Sequence, residues 1–150
     1  MTRTKIYAAR ELISAGCDEI DMVMNIGWFL SGEYDRVARE INDVVTAAQG
    51  SIVKVIIETC LLASDQIKIA AKIVKENGAH FVKTSTGFST SGATAAAVRL
   101  LRDTVGPDFG VKASGGIRDY PQAIDLIQAG ANRLGTSAGI SIMQQHHNSV

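Results

Sequence analysis

Five short apolar stretches, each followed by a helical one, restrict this chain more than any other feature. Strands are expected at Glu19 to Met24, Ile52 to Glu58, His80 to Thr84, Gly110 to Ala113 and Arg133 to Gly135. Helices are expected at Lys5 to Ala15, Glu33 to Ala48, Ser64 to Asn77, Ala93 to Val105, Pro121 to Ala129 and Ala138 to Gln145. Alternation of this kind builds a parallel sheet, because each strand needs a crossover before the next can run the same way. Local chemistry marks several boundaries. Ser64 before an apolar-periodic run reads as an N-cap. Asn77-Gly78 and Gly130 read as helix ends, and Pro121 fits a first helical turn. A glycine followed by Ala or Cys just ahead of a strand recurs at Gly16-Cys17, Gly78-Ala79 and Gly130-Ala131. This points to one αβ unit repeated within a single domain, residues 1–150.

Two architectures fit such a repeat: an open doubly wound sheet and a TIM (β/α)8 barrel. Length favours the open sheet, since a barrel typically takes roughly 250 residues and the chain has 150. Side-chain parity favours the barrel. Residues alternate faces along a strand. Ile20, Met22 and Met24 share one face, with Glu19 and Asp21 on the other. Val53, Val55 and Ile57 oppose Lys54 and Glu58; Val82 opposes Lys83; Val111 opposes Lys112. In an open sheet those charges would point into a covering helix layer, at a cost of several kcal/mol each unless paired. In a barrel they line an interior where Asp21, Lys54, Glu58, Lys83 and Lys112 can balance one another. Parity therefore predicts a partial barrel of about five parallel strands and six helices.

Composition excludes several function classes. Fifteen basic residues balance fifteen acidic ones. With no basic stripe, nucleic-acid binding is not indicated. No apolar run reaches the 18 residues a membrane helix needs. The N-terminus lacks the apolar segment of a signal peptide. Cys17 and Cys60 have no metal-ligand spacing and read as free thiols in a reducing compartment, so a cytoplasmic protein is expected.

Chemistry concentrates on two lysines. Lys83 lies in Phe81-Val82-Lys83-Thr84-Ser85-Thr86-Gly87, and Lys112 in Gly110-Val111-Lys112-Ala113-Ser114-Gly115-Gly116. Each ends an apolar strand and precedes a glycine turn. Two ammonium groups about 6 Å apart, at an effective dielectric near 20, repel by roughly 3 kcal/mol. That favours release of one proton by about two pKa units. The freed amine can attack a carbonyl and form an iminium, an electron sink for making or breaking a carbon–carbon bond. Asp21, at the end of its own strand, is the candidate acid/base partner. A lone lysine here would read as a counter-ion of Asp21 or Glu58; two at equivalent strand ends read as a Schiff-base site.

Glycine and serine recur beyond the strand ends, at Gly87, at Gly115-Gly116 and at Gly135 before Thr136-Ser137. Backbone amides at such turns bind phosphate oxygens, and barrels often hold phosphate after their last two strands. Arg118 could add charge there. These turns with one acid would also suit another phosphate-binding barrel enzyme, an isomerase or a synthase. Other candidates carry less. His146 and His147 read as a frayed tail, Cys60 as a packing residue, and Trp28-Phe29 as an apolar loop. Ser85 has no histidine or carboxylate partner for a triad.

Together these segments resemble the deoxyribose-phosphate aldolase family. The similarity lies in Glu19-Ile20-Asp21-Met22-Val23-Met24-Asn25-Ile26-Gly27, Lys54-Val55-Ile56-Ile57-Glu58-Thr59, the two lysine segments above, and Arg133-Leu134-Gly135-Thr136-Ser137-Ala138. It spans nearly all of the chain. The resemblance implies a class I aldolase on a TIM barrel. Such an enzyme reversibly cleaves 2-deoxy-D-ribose 5-phosphate to acetaldehyde and D-glyceraldehyde 3-phosphate, with no metal or cofactor. It implies Lys83 as the Schiff-base lysine, Lys112 as its electrostatic partner and Asp21 as proton relay. Gly87, Gly115, Gly116 and Ser137 would hold the phosphate, with Lys54 and Glu58 elsewhere in the barrel interior. It also implies three family strands ahead of the one at Glu19 that have no counterpart here. From that gap come the expectation of a homo-oligomer and an alternative reading, a non-enzymatic partial barrel that acts by oligomerising or binding a partner.

Overall fold

The computed structural model describes residues 1–147. The elements run α1 (Thr2–Ser14), β1 (Glu19–Val23), α2 (Ile26–Leu30), α3 (Tyr34–Ala47), β2 (Ile52–Ile56), a 3-10 turn (Thr59–Leu61), α4 (Ser64–Glu76), β3 (Phe81–Lys83), α5 (Ala95–Val105), β4 (Gly110–Ser114), α6 (Tyr120–Gln128), β5 (Arg133–Gly135) and α7 (Gly139–His147). The five strands form one parallel sheet in chain order, β1-β2-β3-β4-β5. A doubly wound sheet would reverse its strand order partway. Sequential order with right-handed crossovers instead puts the helices on one face. Parity, not length, was the better guide.

The helices form because their apolar residues fall on single faces. Val37, Ile41, Val44 and Ala48 are buried along α3 and its end; Ile67, Ala70, Ala71 and Val74 along α4; Val98, Leu101 and Val105 along α5. The i, i+3, i+4, i+7 spacing makes each a continuous stripe. These stripes pack with Ile20, Met22, Val53, Val55, Val82 and Val111 from the sheet in one core cluster. Glu19, Asp21, Lys54, Lys83, Lys112 and Arg133 occupy the alternate strand positions, and so the other face. The sheet is curled enough for Arg133 of β5 to reach Glu19 of β1, their atoms 2.5 Å apart.

Several expectations need correction. The described residues hold seven α-helices rather than six. The added one, α2, contains Trp28 and Phe29 in place of a loop. The Asn25 side chain caps it by accepting the Trp28 N–H, and Phe29 is buried. Ser64 is the first helical residue of α4, not its cap. The N-cap is Ala63, whose N–H donates to the Gln66 side chain at 2.9 Å. His146 is not frayed: it lies in α7, stacked on Tyr120 with Nδ1 3.1 Å from the phenol oxygen. No helix among the described residues is long and apolar enough to cross a membrane.

Candidate active site

The ladder register brings the charged side chains together. Asp21 lies beside Lys54, and Lys83 beside Lys112, as Cα partners on neighbouring strands. With matching parity, all four side chains project to the same side. Asp21 is their meeting point. Its Oδ1 accepts from Lys54 Nζ at 2.8 Å. Its Oδ2 accepts from both Lys83 Nζ at 2.6 Å and Lys112 Nζ at 3.0 Å. The two catalytic candidates therefore share one oxygen atom as partner, and their nitrogens stand no farther apart than those two bonds end to end. Burial alone would raise the Asp21 pKa, but the hydrogen bonds from Lys54, Lys83 and Lys112 outweigh it and hold the carboxyl well below the usual carboxylate range.

A second layer lies deeper along the strands. Lys54, almost wholly buried, also pairs with Glu19 at 2.8 Å, and Arg133 closes on the same Glu19 oxygen. Hydrogen bonds from Lys54 and then Arg133 lower the Glu19 pKa. The Arg133 guanidinium also stacks on the Phe81 ring, 4.9 Å from its centroid. Sequence parity puts Glu19 on the charged face beside Asp21 without giving it a role, and leaves Arg133 unplaced, though the same alternation selects it too. Across both layers, the ion pairs of Lys54, Lys83, Lys112 and Arg133 among the described residues are with Asp21 and Glu19 alone. The concave face thus carries unbalanced positive charge suited to an anionic ligand.

Beside the lysines lies a cavity of about 510 Å³. Lys83 and Lys112 line it together with Gly87, Gly115, Gly116, Arg118 and Ser137. Every residue expected to meet an anion therefore borders one space with the two lysines. The loops that carry them are tied together. The Ala93 N–H donates to the carbonyls of Ser114 and Gly115, while Thr136 Oγ1 donates to the Ile117 carbonyl at 2.6 Å. Gly92 packs so closely on the next loop that a Cβ there would stand 2.0 Å from the Gly115 carbonyl oxygen.

Glu58 departs from expectation. It was expected to balance the lysines, yet among the described residues it makes no ion pair. Its backbone is left-handed, φ 54°, so the strand alternation breaks there and the carboxylate turns to Thr86. Cys60 is half-buried, its thiol 3.3 Å from the Ser89 hydroxyl; that hydrogen bond, more than burial, sets its pKa and lowers it. Ser85 is fully buried. No cluster of His, Cys, Asp and Glu among the described residues could hold a metal ion.

A one-sided parallel sheet with its charges on the face away from the helices, opening on glycine turns at the carboxyl ends of the strands, is the architecture of a (β/α) barrel enzyme. The chain belongs to the DeoC/LacD family of aldolases, whose family model matches residues 2–145. It is 53% identical to the deoxyribose-phosphate aldolase of Thermococcus gammatolerans over 149 residues, 98% of this chain and 66% of that protein. It is 54% identical to that of Streptococcus sanguinis over 140 residues, 93% of this chain and 64% of that protein. Among solved structures, the aldolase QR15 superposes with TM-score 0.94 at 42% identity, covering 99% of this chain and 67% of that one. The tetrameric deoxyribose phosphate aldolase of Aeropyrum pernix superposes with TM-score 0.90 at 33% identity, covering 100% of this chain and 64% of that one. The chain thus spans slightly under two thirds of the length of the curated relatives it matches.

Proposed function

We propose that this chain carries the Schiff-base machinery of an aldolase acting on 2-deoxy-D-ribose 5-phosphate. The observation that carries the reading is the single Asp21 oxygen shared by Lys83 and Lys112 at the edge of a glycine-lined cavity. The Lys83 amine adds to the substrate aldehyde and loses water to give an iminium. Removal of the C3 hydroxyl proton lets the C2–C3 electron pair pass to the iminium nitrogen. The bond breaks, D-glyceraldehyde 3-phosphate departs, and an enamine remains. Protonation of that enamine at carbon and hydrolysis release acetaldehyde and restore the amine. Asp21, held ionised, hands protons between the lysines and the reacting atoms; Lys112 stabilises negative charge as it develops. Amides and hydroxyls at Gly87, Gly115, Gly116 and Ser137 receive the phosphate.

Imine trapping tests this reading. Borohydride added with acetaldehyde is expected to place one ethyl group on Lys83, located by peptide mass mapping. An unchanged intact mass, or a label unaffected by Lys83→Arg, would remove the reading. The reading extends to self-association. β1 and β5 lie at the two ends of the strand order, and Val23 is exposed on the edge strand beside Asp21; exposed sheet edges invite pairing. Sedimentation velocity is expected to give a species heavier than one chain.

A further inference from the structure

Glu58 is the one buried acid of the region that touches none of the lysines, and its backbone conformation is one that side chains other than glycine avoid. Only 5% of its surface is exposed. The residues on either side of it extend the sheet: the Ile57 N–H donates to the Lys83 carbonyl and the Thr59 N–H to the Thr84 carbonyl. Between those two bonds the left-handed turn throws the Glu58 carboxylate across to the loop after β3. There Oε2 accepts from Thr86 Oγ1 at 2.6 Å, and both oxygens lie 3.3 Å from the Thr86 N. With its proton committed to Glu58, Thr86 Oγ1 turns a lone pair to the Phe88 N–H at 3.2 Å. The chain Glu58–Thr86–Phe88 thus brackets Gly87, which has φ 93° and borders the cavity beside Lys83.

We infer that Glu58 is a positioning residue. Through Thr86 it pre-sets the Gly87 turn as an anion-binding edge of the cavity, so phosphate binds without ordering the loop first. This rests on the phosphate assignment of the proposed function and adds the device that holds it. The carboxylate does not itself face the ligand. Its short bond goes to Thr86, with the Cys60 thiol a distant second partner at 4.0 Å from Oε1, and the charge strengthens the Thr86 hydrogen bonds beyond what a neutral acceptor gives. A pre-organised cradle binds more tightly than one that must be ordered on binding.

Isothermal titration with inorganic phosphate tests this on the whole chain. Wild type is expected to bind, and Glu58→Gln and Thr86→Val to bind about tenfold or more weakly. Glutamine keeps one acceptor oxygen but presents an amide to a second donor, and valine keeps shape without the hydroxyl. Thr86→Ser, which restores the hydroxyl, is expected to recover wild-type affinity, which a general packing defect would not allow. The double variant Glu58→Gln with Thr86→Val should bind no more weakly than either single one, since both cut the same link. Wild-type affinity in Thr86→Val, absent binding in wild type, or no recovery in Thr86→Ser overturns the inference. Should Glu58→Gln fail to fold, the two Thr86 variants decide alone. Imine trapping on Lys83, run in parallel with acetaldehyde, carries no phosphate; its failure beside intact phosphate binding counts against the aldolase reading and not against Glu58.

Discussion

At the residue scale, Asp21 holds three lysines, and its titration should be visible in stability. An unfolded aspartate titrates near about 3.9. In the fold, burial would raise that value, but the bonds from Lys54, Lys83 and Lys112 push it well below. A depressed folded value means stability that is complete above the unfolded value and lost only as pH falls toward the folded one. Asp21→Asn has no such contribution. Because the site opens to solvent, the expected deficit is about 1–3 kcal/mol. Urea unfolding of both proteins should show that gap unchanged from pH 7 to about 5 and closing only below about 4. A gap already closed at pH 5 would mean the lysines do not hold the carboxylate. Sequence could reach Asp21, Lys83 and Lys112 because parity and strand ends are countable. It could not place Glu58 correctly, because counting assumes an extended chain, and β2 ends at Ile56 before the left-handed turn.

At the scale of elements, the long helices could be read from their 3.6-residue apolar period, and the five strands from short apolar runs set between those helices and bounded by glycine. α2 could not. Its five residues follow a strand directly and are too few to show a 3.6-residue period, and the Asn25 cap is its main signal. Loop-to-loop packing was equally out of reach, since nothing in the spacing says that Gly92 meets Gly115. That contact can be tested. In Gly92→Ala the new Cβ would stand 2.0 Å from one backbone atom and 2.2 Å from another, neither of which can swing aside. The loop after β3 must lift away from the β4 turn, at about 1–3 kcal/mol. A Cβ at Gly139 meets nothing within 4 Å, and its φ is not left-handed. Gly139→Ala should therefore stay within about 0.5 kcal/mol of wild type or gain slightly. Denaturant midpoints that fall equally in both would show that the Gly92 contact is not the cause.

At the scale of the whole molecule, the two ends of the sheet do different work. The glycine turns and Lys83 stand at the carboxyl ends of the strands, with Asp21, Lys54 and Lys112 at mid-strand below them. At the opposite end one arginine gathers the loops. Arg102 of α5 donates to the carbonyls of Gly106, Phe109 and Gly130 at 2.5, 2.7 and 2.9 Å, and to the Asn132 side chain. Asn132 in turn accepts the Val111 N–H at 2.9 Å, so the arginine reaches the entry of both β4 and β5. Burial lowers its pKa, though a guanidinium remains charged at any neutral pH. In Arg102→Met several carbonyls lose a charged donor, and water can replace only part of it; about 2–4 kcal/mol should be lost. Lys83 closes β3 and shares none of these bonds. The variant should therefore unfold at lower urea but, while folded at 25 °C, be ethylated on Lys83 at the wild-type rate. Stability and imine formation falling together would mean that strand β4 transmits strain along its length. Loss of stability alone would establish that the Arg102 bonds brace the entry of β4 and β5 without setting the reactivity of Lys83.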